Sequence, residues 1–236
     1  MPTLLEPSYA VVAAACRAPW GAAAEGLPGA APVELPNVAG FVTSRFSPLV
    51  VAVAEACLGE PGSGRDLVAG RGERTAMVLA TAGGDHTTTD VATQRMVAGQ
   101  VHSPLLFFQS VTTSVLGHLA KRYGITGPIS CVSAGAGLAP EALRVADILL
   151  DDEELDQVLL VGVELAANER VDWVQGRLDG AYPLGPLPRG DAAVALLLRR
   201  AEAGDTTPSS VGDWPEYGWL APLVGLCALS TNPTTP

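Results

Sequence analysis

The sequence predicts an α/β fold: a mainly parallel sheet with helices on both faces. Three observations carry that expectation. Residues 103–164 run helix, strand, glycine turn, helix, strand, the order of a parallel α/β unit. The segment QVLLVGV at 157–163 shows no polar alternation, as befits a strand buried on both faces. Hydrophobic residues make up 48% of the 236-residue chain, enough for a core of good size.

The elements follow in order. YAVVAAAC at 9–16 reads as a first strand, and the Pro-, Gly- and Ala-rich 19–40 as a long irregular connection. Residues 47–58 place Leu49, Val50, Val53 and Cys57 on one helical face, with Ser47 as cap, Pro48 in the first turn and Gly59 as stop. A charged loop spans 60–74, with a short helix expected at 64–69. Residues 75–82 read as a strand, followed by Asp85-His86 at its end. Thr89-Asp90 are the expected caps of a helix running to Ala98. Val111, Val115, Leu116 and Leu119 give 110–123 a helical spacing, and Gly124 ends it.

A short β-type run at 128–134 turns through Gly135-Ala136-Gly137. The next helix, 138–150, carries Leu138, Ala142, Val145 and Leu149 on its stripe and Pro140 in its first turns. An acidic break, Asp151 to Glu154, precedes the strand at 157–163. Residues 166–188 read as a loop with one helical turn at 171–174, and 192–198 as a strand. The composition of 201–213 predicts disorder, and 231–236 a frayed tail. Between them, WLAPLVGLCAL at 219–229 reads as an apolar segment able to dock.

Charge and cysteine content narrow the function classes. A net charge of −11 argues against nucleic acid and anionic membrane as partners. No 18-residue apolar stretch is present to span a bilayer. No basic region precedes the N-terminal apolar run, so no signal peptide is expected and the cytoplasm is the expected compartment. Cys16, Cys57, Cys131 and Cys227 have no metal-ligand spacing. The first three stand among apolar residues and read as buried thiols. Neither metal nor cofactor is expected.

The strand-to-helix turn at 133–138 is where α/β folds place chemistry, because a helix N-terminus presents free N–H groups there. Ser133, within Cys131-Val132-Ser133-Ala134-Gly135, resembles a nucleophile elbow that lacks its first glycine. A serine nucleophile needs a base and an orienting acid, and no motif places any of the three histidines. His118 sits in a helix packed by small residues, as a hydrogen-bonded core histidine or as a base. Asp85-His86 reads as a turn with a helix cap or as a catalytic pair.

SPLLFFQSV, then GHLAKRYGITGP, then a strand, a small-residue turn, a helix and LLVGVE resemble the N-terminal half of a β-ketoacyl synthase, a thiolase-fold condensing enzyme. TAMVLATAGGD at 75–85 and GDAAVALLLRR at 190–200 resemble further strands of that half. The resemblance covers residues 8–200 and is strongest to short proteins holding only this domain, beside type II polyketide or aryl-polyene-like systems. It divides the chain into a ketosynthase-like domain, 1–200, and a Pro/Gly-rich tail, 201–236, with a docking segment at 214–229.

The resemblance puts the family's nucleophilic cysteine at Gly135 or Ala136, and neither side chain forms a thioester. The family's two histidines lie in a half that these residues do not include. It therefore implies a non-catalytic subunit assisting a type II polyketide or fatty-acid-like synthase, by shaping an acyl pocket or stabilising the condensing complex. Phe107, Phe108, Gln109, Thr112 and Val132 are the residues it implies at the acyl pocket or dimer interface. The implied partners are a second copy or a ketosynthase or chain-length-factor-like subunit, with acyl carrier protein beyond them. Carrier protein is acidic, so its approach needs a local basic patch such as Arg65, Arg71, Arg74 or Lys121-Arg122. Two other readings stand beside this one: an acyl-transferring or thioester-hydrolysing enzyme using Ser133, and a pure scaffold. A half fold also leaves an apolar helix face to be covered by the C-terminal segment, a second copy or another subunit.

Overall fold

The computed structural model describes residues 8–100, 103–178, 185–205 and 213–231. Five strands form one sheet: β1 (Tyr9–Arg17), β2 (Thr75–Ala80), β3 (Ile129–Val132), β4 (Gln157–Glu164) and β5 (Ala192–Arg200). The spatial order is β1-β5-β4-β2-β3. β2 pairs parallel with both β3 and β4, whereas β5 is antiparallel to β4 and to β1. The sheet is thus mixed rather than mainly parallel. Strands buried on both faces lose the alternation that marks a face, and their composition does not encode direction. The connection after β4 begins and ends at the same sheet edge, so β5 has to run back.

Alternate residues build two cores. One face carries Met77, Leu79, Leu159, Val161, Ala195 and Leu197 beneath α1 (Phe46–Leu58) and α4 (Ser114–Tyr123). The other carries Ala76, Val78, Val158, Leu160, Val194 and Leu196 beneath α5 (Leu138–Leu150) and α7 (Ala221–Thr231). The buried stripe of α5 is Leu138, Ala142, Ala146 and Leu150, rotated one position from the expected Val145 and Leu149.

The C-terminal segment lies over this second face. After a 3-10 turn (Pro215–Leu220), α7 buries Leu223, Val224, Leu226 and Cys227 against β1 and β5. Gly162 on β4 admits it: a Cβ there would stand 2.7 Å from Leu220 and 2.8 Å from Leu223. The outward side of α5 carries the Glu141–Arg144 ion pair at 2.6 Å beside exposed Ile148. The chain's own C-terminal segment therefore covers part of the sheet face that α5 also covers. Exposed apolar residues stand elsewhere: Met96 and Val97 on α2 (His86–Val97), Leu105, Phe107 and Phe108 on α3 (Pro104–Ser110), Val111 after it, and, separately, Ile129 on β3. Within this sheet β3 is an edge, paired only with β2.

Several local expectations are corrected. α1 starts at Phe46, whose N–H donates to Ser44 Oγ; Ser47 lies inside the first turn. Residues 64–69 are turns rather than a helix, held by Asp66, which accepts from Gly62 and Val68 N–H. α2 is capped by Asp85 instead of Thr89-Asp90, which fall inside it. The helix expected over 110–123 starts only at Ser114, as α4; extended Val111 separates it from α3, a helix not expected over 104–110. Ser103 Oγ caps α3, with Pro104 in its first turn. The loop expected at 166–188 contains α6 (Glu169–Leu178), for which Asn168 Oδ1 accepts from Val171 N–H. Cys131 is exposed, since an edge strand has a neighbour on one side only. Residues 206–212, within the stretch expected to be disordered, and 232–236 lie outside the described residues, while Asp205 is fixed by Arg199. No helix among the described residues is long and apolar enough to cross a membrane.

Candidate functional site

The parallel strands end together. Ala80 stands opposite Val132 on one side and Gly162 on the other. The turns 81–84 and 133–137 and the end of β4 at Glu164 therefore share one edge of the sheet. α2 and α5 start there, so the edge faces two helix N-termini.

Glu164 is 1% exposed. Its Oε2 accepts from Ala82 N–H at 2.7 Å and from the Trp219 indole N–H at 2.9 Å, and its Oε1 from Gly83 N–H at 3.0 Å. A Cβ on residue 83 would lie 2.9 Å from Oε1, so glycine is what lets the turn close on the carboxylate. Burial pushes the carboxyl up to about 7, although these hydrogen bonds favour its charged form.

His86 opens α2 beside this group and is 4% exposed. Its Nδ1 lies 3.2 Å from Asn168 Nδ2, which also donates to Asp90 Oδ2 at 2.8 Å. Asp90 is paired with Arg170. Accepting from Asn168 puts the ring proton on Nε2, which has no hydrogen-bond partner among the described residues. Desolvation lowers the His86 pKa, outweighing the pull of Asp90 and Asp85, and so favours the neutral ring. Asp85 is occupied as the α2 cap, accepting from Thr88 N–H and Oγ1–H at 3.0 and 2.7 Å. The pair seen in the sequence thus splits into a cap and a buried neutral ring.

The turn after β3 offers no nucleophile of the kind a condensing enzyme uses. Gly135 is half-buried and Ala136 exposed. Gly137 caps α5 without a side-chain hydrogen bond, so the first N–H groups of α5 receive no side-chain acceptor there. Cys131 stands inside β3, four positions before Gly135. Ser133 is exposed, and no hydrogen bond joins it to a histidine among the described residues. His118 lies on α4, over the opposite sheet face from α5, with its ring edge against Phe41 at 6.1 Å.

The other named residues separate. Phe107 is 72% exposed and lines a groove of about 660 Å³ between α2 and α3, with Thr89, Thr93, Met96, Leu106 and Ser110. Phe108 packs on Phe41 with ring centroids 5.4 Å apart. Gln109 turns inward, its Oε1 accepting from Val42 and Thr43 N–H at 3.0 Å each. Thr112 stands beside the 81–84 turn, 3.3 Å from where a Cβ on Gly84 would lie. Val132 is half-buried and packs towards the α5 face. Reading the sequence missed Glu164, Asn168 and Trp219. The available signal was a lone acidic residue closing an apolar strand. Among the described residues no group of three or more His, Cys, Asp or Glu side chains is arranged to hold a metal.

No family model and no curated protein matches the sequence. Solved structures do match the fold. A complex of a ketosynthase with its chain length factor from Xenorhabdus doucetiae superposes with TM-score 0.60 at 21% identity, over 84% of this chain and 81% of the matched one. The fold is ketosynthase-like. Nearly equal shares mean that the matched chain is about as long as this one. The ishigamide ketosynthase/chain length factor gives TM-score 0.62 at 18% identity, over 85% of this chain and 64% of that one. A β-ketoacyl synthase from Burkholderia phymatum gives 0.55 at 18% identity, over 76% and 49%, so the ketosynthase-like part spans about half of that enzyme.

Proposed function

We propose that the chain is a non-catalytic, ketosynthase-like subunit that pairs with a condensing partner of a type II polyketide or fatty-acid-like synthase, in the manner of a chain length factor. The observation that carries this is the turn before α5, where the resemblance expects a cysteine and the chain has Gly135 and Ala136. A fold of this kind without a thiol at that turn can bind and shape but cannot form the acyl thioester. The match to a ketosynthase–chain length factor complex, through a chain of similar length, supports the same role.

The pairing surface is the one left open: edge strand β3, α3 and the end of α2. An unpaired edge invites a partner strand, and the exposed Phe107, Phe108 and Val97 supply apolar area on α2 and α3. The groove between α2 and α3 lies on this side and is the part offered to an acyl chain, with Phe107 on its wall. Gln109 serves by holding residues 42–43 against α3. The reading of Ser133 as an acyl-transferring or hydrolytic nucleophile is not favoured, because among the described residues no hydrogen bond joins the serine to a histidine.

Co-expression with the ketosynthase and acyl carrier protein of the same gene neighbourhood tests the proposal. The chain should co-elute with the ketosynthase, form no β-ketoacyl product alone, and alter the product length or yield of the pair. Co-elution with unaltered products identifies a scaffold. Condensation by the chain alone, or thioester hydrolysis abolished by Ser133→Ala, overturns the proposal.

A further inference from the structure

We propose that docking of the C-terminal segment, residues 215–231, takes up a proton at Glu164, so that the segment is held more firmly as the pH falls. Glu164 is buried among neutral donors: two turn amides, the Trp219 indole and the Thr81 hydroxyl. Among the described residues no ion pair reaches it. A carboxylate enclosed without a counter-charge costs far more than one in water, and taking up a proton removes that cost. Trp219 belongs to the docking segment, so lifting the segment returns the carboxyl to solvent.

The other titratable groups around Glu164 do not take over this role. From α2, His86 shares the Gly83 turn: its Cδ2 lies 3.5 Å from the Cβ point of residue 83, which is 2.9 Å from Glu164 Oε1. Its burial disfavours its charged form. Behind it, Asp85 is a cap and Asp90 is paired with Arg170 of α6. At the start of β5, Asp191 is paired with Arg45 at 2.7 Å. The turn before α5 brings only Ser133, Gly135 and Ala136. Asp213, just before the segment, and the segment's own Glu216 are not buried, and its neighbour Arg189 donates its backbone N–H to the Glu216 carbonyl at 2.8 Å.

The segment's remaining tethers do not titrate near neutrality. Tyr217 donates to the Pro28 carbonyl and stacks on Trp20 at 5.4 Å, and Trp219 N–H donates to the Pro186 carbonyl at 2.7 Å. Burial raises the Tyr217 phenol, and it pushes Cys16 and Cys227 up to about 12 and about 11.

The direction follows from linkage. Glu164 titrates at about 7 when covered and near its ordinary 4.5 when open. Below the lower value both forms are protonated and docking is insensitive to pH. Between the two values only the open form ionises, so opening gains up to about tenfold per pH unit, and it levels off above the higher value. From pH 5 to pH 8 the opening constant should rise by about 50- to 100-fold.

Native-state amide hydrogen exchange of the full chain, corrected for intrinsic exchange, reads this in peptides covering 214–231. The expected result is that rise for wild type and a flat profile for Glu164→Gln. Trp219→Phe keeps the apolar roof but removes a donor to the charged form, so its transition should move to higher pH; it also serves if Glu164→Gln does not fold. His86→Gln should leave the profile in place. A wild-type segment whose opening does not change with pH overturns the proposal. So does a profile unchanged in Glu164→Gln, a transition unmoved in Trp219→Phe, or a profile lost in His86→Gln.

Discussion

Phe107→Glu separates a surface that waits for a partner from one that is simply exposed. Phe107 is 72% exposed on α3, so in the isolated chain the change removes little packing and should alter stability by less than about 0.5 kcal/mol. In a complex the same ring would be covered together with Phe108 and the β3 edge. Losing a buried phenylalanine there costs about 1.5–3 kcal/mol. Enclosing a carboxylate in an apolar contact adds about 1–3 kcal/mol. The sum weakens binding by about two to four orders of magnitude. Biolayer interferometry against the condensing partner, with sedimentation velocity for self-association, measures this, while thermal unfolding of the free variant shows that the fold is intact. A variant that folds normally and binds within threefold of wild type removes α3 from the interface and refutes the reasoning. If wild type binds neither that partner nor itself, the pairing surface as a whole is refuted.

Gly162→Ala places a methyl group within 2.8 Å of Leu220 and Leu223 and should cost about 1–3 kcal/mol, read by urea or thermal unfolding. An unchanged midpoint would show that the C-terminal segment does not press on β4. Gln109→Leu removes the acceptor of the Val42 and Thr43 amides and, since Val42 stands at the surface where water can replace it, should cost about 1–2 kcal/mol in the free chain. A variant with native stability but altered product length would instead give Gln109 an acyl-lining role. Gly135→Cys should give a thiol that alkylates readily, because α5 begins just beyond it. It should still form no β-ketoacyl product by mass spectrometry, and turnover above background would reverse that assignment.

Local chemistry was legible from the sequence wherever one element decides it. The apolar run of β4 fixed a strand buried on both faces, and the small-residue turn at 135–137 fixed the start of α5. The absence of a cysteine at that turn is a fact of the sequence alone, and it already spoke against condensation. Caps were less legible, since Asp85, Thr89 and Asp90 are all competent caps and packing of the helix selects among them. What only the tertiary structure decided depends on residues far apart in the chain. The direction of β5 follows from where the 165–191 connection returns, which strand composition does not record. The site's buried acid appeared only when β4, the 82–83 turn and Trp219, 55 positions further on, converged. Glu164 is ordinary as a residue type. Its enclosure without a counter-charge makes it titrate near neutrality, and enclosure is a property of the packed fold rather than of any stretch of sequence.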